Sequence, residues 1–262
     1  MVVCKSADEL RRMRVASELV ADVLAELERL VAPGVTTADL DGLAERLVRE
    51  AGAEPAFKGY RGYPASLCTS VNEEVVHGIP SPKRVLREGD IISIDMGVKA
   101  DGFYGDSAIT VPVGRIGDRA AELLRVTRES LWKGIAAVRP GGRVSDIGHA
   151  VQAHVEAHGF SVVRDFVGHG IGASLHEEPQ VPNYGTPGRG ARLAAGMVLA
   201  IEPMVNMGRP GVQTLADAWT AVTRDRSLSA HFEHTVAITA GGPEVLTLSR
   251  AEREAARAVR PA

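Results

Sequence analysis

Five acidic and histidine side chains stand where the sequence is otherwise apolar or glycine-rich, rather than on charged helix faces. They are Asp95, Asp106, His169, Glu202 and Glu233. Burying a carboxylate without a partner costs free energy, so a bound ion shared by these side chains would explain why they stand in apolar surroundings. Carboxylates and a single imidazole are donors suited to divalent first-row metals. The excess of acids favours two metal ions, about 3.5–4 Å apart and bridged by carboxylates, over one ion.

Two of the five residues belong to a predicted β-hairpin. Asp95 and Asp106 lie in two β-branched or aromatic runs that are joined by Asp101-Gly102, a strong hairpin signal. A turn centred between Ala100 and Asp101 predicts that Asp95 directly faces Asp106 across the strands. At about 5 Å, two ionised carboxylates repel by about 3 kcal/mol at an effective dielectric of 20, unless they share a proton or a cation.

Other motifs in the sequence indicate a functional site less strongly than this set of residues. His176-Glu177-Glu178-Pro179 has no second histidine at the spacing of the zinc-protease helix, and Gly168-x-Gly170-x-Gly172 lacks the context of a dinucleotide-binding turn. His154 and His158 share a helix face and could bind zinc, but no acid or cysteine partner is evident, which favours a solvent-exposed face. Cys68 lies on an apolar strand, where an inert thiol is favoured over a nucleophile.

Composition limits the class of protein. The 262 residues are 45% hydrophobic and carry a formal net charge of −3, from 30 basic and 33 acidic residues. This balance gives no general attraction to nucleic acid or to anionic membranes. Two cysteines do not make a disulfide framework, and neither a leader segment nor a membrane-spanning stretch is apparent. We therefore expect a cytoplasmic protein without membrane association, and nothing in the sequence demands more than a monomer.

Hydrophobic periodicity predicts the elements that must position the candidate ligands. Helices are expected over residues 6–31, 37–51 and 118–138, the first with a capping box at Ser6 and Glu9. Besides the hairpin, strands are expected over residues 67–72, 197–203 and 230–238.

A repeat with a constant offset of 107 residues relates two parts of the chain, since residues 33–40 align without gaps on residues 140–147. Both copies follow a long helical stretch, which suggests a helix–helix–strand unit used twice. We predict one catalytic domain over residues 1–262, with pseudo-repeat halves at about 5–110 and 111–250 and a charged helical tail at 251–262. A site at the junction between the halves would follow naturally.

The order of these motifs resembles the methionine aminopeptidases of the short, type I class. The resemblance runs from about residue 5 to residue 248 and is carried by Asp95, Asp106, Gly168–Gly172, His176–Pro179, Glu202-Pro203 and Phe232–Thr235. It implies an α+β, pita-bread fold, in which two pseudo-symmetric halves surround a curved antiparallel sheet with helices on the outer face. The 107-residue repeat agrees with such a fold.

The same resemblance implies two divalent metal ions per chain. Asp106 and Glu233 would bridge them, Asp95 would complete one site, and His169 with Glu202 would complete the other. The donor set accepts cobalt, manganese, iron(II) or zinc, and sequence does not choose among them.

The resemblance also assigns catalytic roles. A bridging hydroxide would attack the scissile carbonyl while one metal polarises it. His176 would stabilise the charge that develops on the carbonyl oxygen, His77 would contact the peptide backbone, and Glu202 would carry a proton to the departing amine.

A pocket for the methionine side chain is implied as well. Its expected lining is Tyr60, Tyr63, Cys68 and Trp219, aromatic and sulfur-containing side chains that suit a thioether. The alternative is that these are ordinary core residues. Leu175 stands where phenylalanine is usual and Phe57 where cysteine is common, and both changes bear on pocket shape.

The predicted activity is removal of the initiator methionine from nascent proteins and peptides whose second residue is small. Two alternatives remain: an Xaa-Pro aminopeptidase or prolidase on the same fold, which usually carries a large N-terminal domain, and a non-catalytic binding relative, which typically loses metal ligands. The expected partner is the N-terminal peptide of a nascent chain, with no sequence-specific nucleic acid. Arg84, Arg87 and the loop at residues 189–192 are weak candidates for transient ribosome contact.

Overall fold

The computed structural model describes residues 2–259, with side chains for residues 2–255. The helices are α1 (Ala7–Leu30), α2 (Thr37–Glu50), α3 (Asp118–Ala137), α4 (Val144–Ala157) and α5 (Arg250–Val259). The strands are β1 (Glu54–Pro55), β2 (Cys68–Val71), β3 (Glu74–Val76), β4 (Ile91–Ala100), β5 (Phe103–Pro112), β6 (Ser161–Val162), β7 (Gly168–Gly170), β8 (Glu177–Val181), β9 (Val198–Ile201), β10 (Met204–Asn206), β11 (Val212–Thr214), β12 (Ala221–Thr223), β13 (Ser229–His231), β14 (His234–Thr239) and β15 (Gly242–Val245).

The three predicted helices are confirmed to within one or two residues at each end. The capping box of α1 is also confirmed, because the Ser6 hydroxyl accepts a hydrogen bond from the Glu9 amide and the Glu9 carboxylate accepts one from the Ser6 amide. None of the described helices is long and apolar enough to cross a membrane. Residues 251–259 of the predicted tail belong to α5, and residues 260–262 lie outside the described residues.

Two antiparallel sheets carry most of the predicted site residues. In one, β4 pairs with β5 on one side and with β1 and β2 on the other; the second has the order β15-β14-β9-β7-β8. Helices α1 and α2 pack an apolar core against the first sheet, and α3 and α4 pack one against the second. This α+β arrangement, with helices packed against each sheet, agrees with the expected pita-bread fold.

A seam between the two sheets forms at β5. The Glu233 amide donates to the carbonyl of Ala108 at 2.9 Å, and the Ser107 hydroxyl donates to the carbonyl of Glu233 at 2.6 Å. The strand predicted over residues 230–238 is therefore not continuous: it divides into β13 and β14, and Glu233 pairs across the seam instead. The division places the Glu233 side chain beside β5.

The predicted register of the hairpin is wrong by two residues. Asp95 lies opposite Ala108, and Asp106 lies opposite Gly97, so the two aspartates are diagonal neighbours rather than a facing pair. Because side chains alternate with a period of two, a shift of two residues leaves both carboxylates on the same face of the sheet. The expectation that they share one environment therefore survives the correction.

The turn explains the register. Ala100 pairs with Phe103, so Asp101 and Gly102 alone form the turn, with φ of 49° and 78°. A two-residue turn with positive φ at both positions matches the twist of the strands it joins, and Asp-Gly is a favoured pair for it. The turn is thus centred between Asp101 and Gly102, one position later than predicted.

The offset of 107 residues recurs in backbone conformation. Gly52 and Gly159 both have φ of 73° after the second helix of their respective pairs, and α2 and α4 each have an acidic residue at the third position that accepts from the residue capping the helix. The helix pairs are thus locally alike, while the boundaries of the two halves stay a prediction.

One glycine fixes how closely α1 approaches the sheet, and its substitution is expected to destabilise the protein. A Cβ atom at Gly105 would lie 2.6 Å from backbone atoms of Ser17, so Gly105→Ala should lower the unfolding free energy by about 1–3 kcal/mol. As the matched control, Gly42 is an exposed glycine of α2 with no atom near the added methyl group, and Gly42→Ala should stabilise by about 0.5–1 kcal/mol. Urea denaturation measures both; equal effects of the two changes would contradict the close approach.

Candidate metal centre and active site

The five side chains that the sequence marked as metal ligands line one pocket. They come from β4, β5, β7, the residue after β9 and the seam between β13 and β14. Asp106, His169 and Glu233 each offer a ligand atom within 4.8 Å of the other two. Glu202 joins them, with its Oε1 at 3.5 Å from the Nε2 atom of His169. Strands from both sheets are therefore needed to assemble the site.

Three carboxylate oxygens of this group are buried and have no hydrogen-bonding partner within the described residues. Asp106 is 4% exposed and Glu233 is 2% exposed. Among the described residues, no group donates a hydrogen bond to Asp95 Oδ1, Asp106 Oδ1 or Glu233 Oε1. Buried oxygens of this kind normally have a partner, and carboxylate clusters are stabilised when a divalent cation provides one. The residues present therefore fit a metal centre.

The pKa values of the carboxyl groups also indicate a site for a cation. Burial raises the pKa of Asp95 to about 7. Burial, and then the neighbouring carboxylates, raise the pKa values of Asp106 and Glu233 well above their usual range, and burial followed by Asp95 does so for Glu202. Bringing these acids together thus favours proton uptake, so a metal ion must displace protons when it binds.

His169 is oriented by its own strand. Its Nδ1 lies 2.8 Å from the carbonyl oxygen of Gly170, and the tautomer that donates there leaves the Nε2 lone pair facing the pocket. Burial, followed by the nearby His176, lowers the pKa of His169 to about 4, so the imidazole is neutral and able to bind a metal at pH 7. A Cβ atom at Gly170 would collide with the carbonyl oxygen of Glu178, which explains a glycine where β7 meets β8.

Two further residues hold the candidate ligands in place, and the sequence had assigned neither of them a role. The Thr235 hydroxyl donates to the carbonyl of Asp106 at 2.7 Å and accepts from its amide at 3.1 Å, which ties β14 to β5. The Asn183 side chain donates to the carbonyl of Glu202 at 3.0 Å. Thr235 lies within the Glu233-His234-Thr235 run, but its hydrogen bonds cross the seam and leave no local signal.

His231 is a third residue that the sequence analysis passed over. It is 2% exposed, and its Nε2 lies 3.8 Å from Glu202 Oε2. Burial, and then His77, lower its pKa to about 3, so its imidazole is neutral. Within the described residues, neither ring nitrogen has a hydrogen-bonding partner. Strand alternation could have found it, because His231 stands two residues before Glu233.

His77 and His176 lie on the walls of the same pocket. His77 follows β3 with φ of 62°, and its ring meets Phe166 edge-on at 5.4 Å. Burial lowers the pKa of His77 to about 4. His176 stands near the pocket mouth, with its ring centroid 4.2 Å from that of His169 and its Nδ1 2.9 Å from the Tyr60 hydroxyl.

The expected methionine-pocket residues also line this cavity, which has a volume of about 180 Å³. Tyr63 directs its hydroxyl away, within 2.9 Å of the carbonyls of Leu67 and Gly78, and packs edge-on against Trp219 at 5.0 Å. Burial raises the pKa of the Cys68 thiol, in agreement with an inert cysteine.

Leu175 and Phe57 line the same cavity. The Phe57 ring packs where a Cβ atom at Gly97 would come within 2.7 Å of it. Both departures from the expected family pattern therefore act directly on the shape of the pocket.

Buried carboxylates and a neutral imidazole at the base of a partly apolar pocket, with two further histidines on its walls, define a metal-dependent hydrolase. Comparison with known proteins makes this more specific. The sequence matches metallopeptidase family M24 over residues 11–240. It is 56% identical over 247 residues to methionine aminopeptidase 1 of Bacillus subtilis, an alignment that covers 94% of this chain and 99% of that protein.

Solved structures agree with the sequence matches. Methionine aminopeptidase from Thermotoga maritima superimposes with a TM-score of 0.94 at 49% identity, covering 95% of this chain and 100% of that one. The prolidase from Pyrococcus horikoshii shares the fold alone, with a TM-score of 0.78 at 23% identity over 95% of this chain and 65% of that one. The chain belongs to metallopeptidase family M24, in its methionine aminopeptidase group, and is a metal-dependent aminopeptidase.

Proposed function

We propose that this protein removes the N-terminal initiator methionine from nascent proteins and peptides when the second residue is small. The observation that carries the proposal is the convergence of buried, unpartnered carboxylate oxygens at one end of a pocket whose other walls are aromatic and sulfur-containing. The acids provide a place for metal ions, and the remaining walls provide a place for a thioether.

The metal-binding part would hold two divalent ions. Asp95, Asp106, His169, Glu202 and Glu233 would hold them. Such ions, when bound, would make water a good nucleophile at neutral pH and polarise a carbonyl group. Cobalt, manganese, iron(II) and zinc all suit these donors.

The chain's own residues would do the rest. His176, whose pKa is lowered by partial burial and then by Arg61, is neutral at pH 7. If Tyr60 donates its hydroxyl hydrogen to Nδ1, the Nε2–H of His176 is free to hydrogen-bond the developing oxyanion. His77 would hydrogen-bond the peptide backbone near the leaving group, and Glu202 would pass a proton to the departing amine.

The methionine side chain would occupy the part of the cavity lined by Tyr60, Tyr63, Cys68 and Trp219. The buried thiol and the ring edges make it apolar but polarizable, which suits sulfur better than a charged side chain. Leu175 is smaller than the phenylalanine that is usual in the family, so it fills less of this wall of the pocket.

The cellular setting is part of the same proposal. We infer a cytoplasmic monomer that meets its substrate as the N-terminal peptide of a nascent chain, with no sequence-specific nucleic acid as partner.

Lys83, Arg84 and Arg87 surround a surface depression that offers positive charge for transient ribosome contact. We expect the protein to cosediment with ribosomes, and we expect added salt to weaken this binding. Replacing Arg84 and Arg87 by neutral residues should weaken it too. If the protein does not bind ribosomes, or if salt has no effect on binding, the contact is refuted.

Hydrolysis of two peptides tests the activity. Metal-stripped protein is reconstituted with manganese or cobalt and given Met-Ala-Ser or Ala-Pro-Ser, with Asp106→Asn as the control variant. We expect metal-dependent release of methionine from the first peptide alone, and its loss in Asp106→Asn. Cleavage before proline would assign the chain to the prolidase-like peptidases, and no cleavage with any metal would favour a non-catalytic binding protein.

A further inference from the structure

A second group of metal-binding side chains lies away from the active site, where α3 packs against α4. Glu129 projects from α3, and His154 and His158 come from the C-terminal end of α4. One ligand atom from each residue lies within 4.8 Å of those from the other two. This is the second group of that kind among the described residues, and the activity proposed above uses none of its members.

No acid or cysteine partner for the two histidines is predicted from the sequence, and that prediction is wrong. Glu129 Oε2 lies 3.0 Å from His154 Nε2. The acid stands 25 residues before His154 on a different helix. No helical spacing within α4 could therefore indicate it, and only the packing of α3 against α4 brings the three side chains together.

The histidines are arranged as metal ligands commonly are. His158 Nδ1 lies 2.8 Å from the carbonyl oxygen of His154, so the tautomer that donates there leaves the Nε2 lone pair available. The two rings lie 4.6 Å apart, and the side chain of His154 is only 16% exposed. Two imidazoles spaced by four residues at the C-terminal end of one helix, with a carboxylate from a neighbouring helix, supply three donors and leave a fourth position for water.

Charge also favours a cation here. The carbonyl groups at the C-terminal end of α4 attract positive charge to the side chains of its last turn. Glu129 is ionised at neutral pH, since hydrogen bonding from Arg125 lowers its pKa below the usual range. Arg125 partly offsets this attraction for a cation, because its positively charged guanidinium nitrogen lies 2.8 Å and 2.9 Å from the two oxygens of the Glu129 carboxylate.

We propose that Glu129, His154 and His158 form an auxiliary site for a late first-row divalent cation, with zinc as the probe metal, which links α3 to α4. Two imidazoles and one carboxylate favour zinc, nickel or copper over magnesium or calcium, which prefer oxygen ligands. The site would add one metal ion per chain to those of the active site. Its occupancy would stabilise the α3–α4 pair without taking part in peptide cleavage.

Counting zinc tests the proposal. Stripped protein is dialysed against excess zinc at pH 7.5 and bound metal is measured by mass spectrometry, for the wild type, His154→Gln/His158→Gln and His149→Gln. His149 is an exposed histidine of the same helix and serves as the matched control. We expect the double variant to bind about one zinc ion fewer per chain than the other two proteins. Cleavage of Met-Ala-Ser by the reconstituted double variant should be unchanged.

Equal zinc content in all three proteins, or an equal loss in His149→Gln, would overturn the proposal. Arg125→Gln provides a test in the opposite direction that leaves all three ligands in place. Removing the competing positive charge should tighten zinc binding at this site by about 3- to 10-fold. Unchanged or weaker binding by Arg125→Gln would count against the site even if the histidine variants proved too unstable to measure.

Discussion

Glu233→Gln is expected to reduce metal-dependent release of methionine by at least about 10³-fold, because a neutral amide would not replace the carboxylate that we propose holds the metal ions. The change is nearly isosteric and keeps the backbone pairing of Glu233 with Ala108. Peptide assays over a range of manganese concentrations measure the loss. A variant that recovers wild-type rates at high manganese would show that Glu233 is dispensable as a ligand.

The same substitution is expected to stabilise the metal-free protein at pH 8. Glu233 is buried beside Asp106 without a hydrogen-bonding partner for its Oε1 within the described residues. Replacing one of several neighbouring acids by a neutral amide removes repulsion, so the melting temperature should rise by about 5 °C. Glu28→Gln makes the same atomic change at an exposed position of α1 and should have no effect. A lower melting temperature for Glu233→Gln would contradict the argument.

The pH dependence of that stability follows from the direction of the pKa shifts. Asp95 has a pKa of about 7 in the folded protein, against about 4 in an unfolded chain. The folded state therefore binds this proton more tightly, and the resulting stabilisation is complete below about pH 4 and is lost as the pH rises through about 7. His77, His169 and His231, whose pKa values burial lowers, act in the opposite direction over part of this interval, and they do so in wild type and Glu233→Gln alike. The advantage in melting temperature of metal-free Glu233→Gln over metal-free wild type should therefore grow between pH 5.5 and pH 8, and manganese should raise the melting temperature of the wild type. A difference that shrinks over this interval would refute the assignment.

His176→Ala is expected to lower kcat/KM for Met-Ala-Ser by about 10²- to 10³-fold, the usual cost of removing one hydrogen-bond donor to a developing oxyanion. The His176 ring lies beside that of His169, so the hydrogen bond would form next to the metal-binding residues. Because His176 is not among the proposed metal ligands, the metal content should stay at the wild-type value. An equal loss of metal and of activity would instead assign His176 to the metal site.

Tyr60→Phe tests how much the orientation of the His176 ring contributes to activity, because it leaves the ring itself in place. The substitution removes only the hydroxyl group that lies 2.9 Å from His176 Nδ1, and we expect a loss of about 10-fold in kcat/KM. His149→Ala, on the exposed face of α4, is the control for removal of an imidazole and should leave activity unchanged. A loss in Tyr60→Phe as large as that in His176→Ala would mean that Tyr60 acts on the substrate directly.

Much of the fold could be read from local patterns. The helices followed from hydrophobic spacing and end signals because capping and amphipathicity act within a few residues, as the capping box at Ser6 and Glu9 illustrates. The five candidate ligands stood out because a carboxylate or imidazole within an apolar strand is costly unless something binds it. The residues chosen for the methionine pocket do meet at one cavity, but no pattern in the sequence located that cavity; the family resemblance did.

The sequence by itself determined the long helices and the hairpin, which side chains could bind metal and which family the chain resembles. Tertiary structure alone decided how those side chains meet. The Asp101-Gly102 turn set the register that separates Asp95 from Asp106, and pairing across the seam broke the strand at Glu233. Glu129 reaches His154 only through helix packing. Local preferences act between neighbours in the chain, whereas these contacts depend on the register and packing of elements far apart in sequence, which a local pattern does not encode.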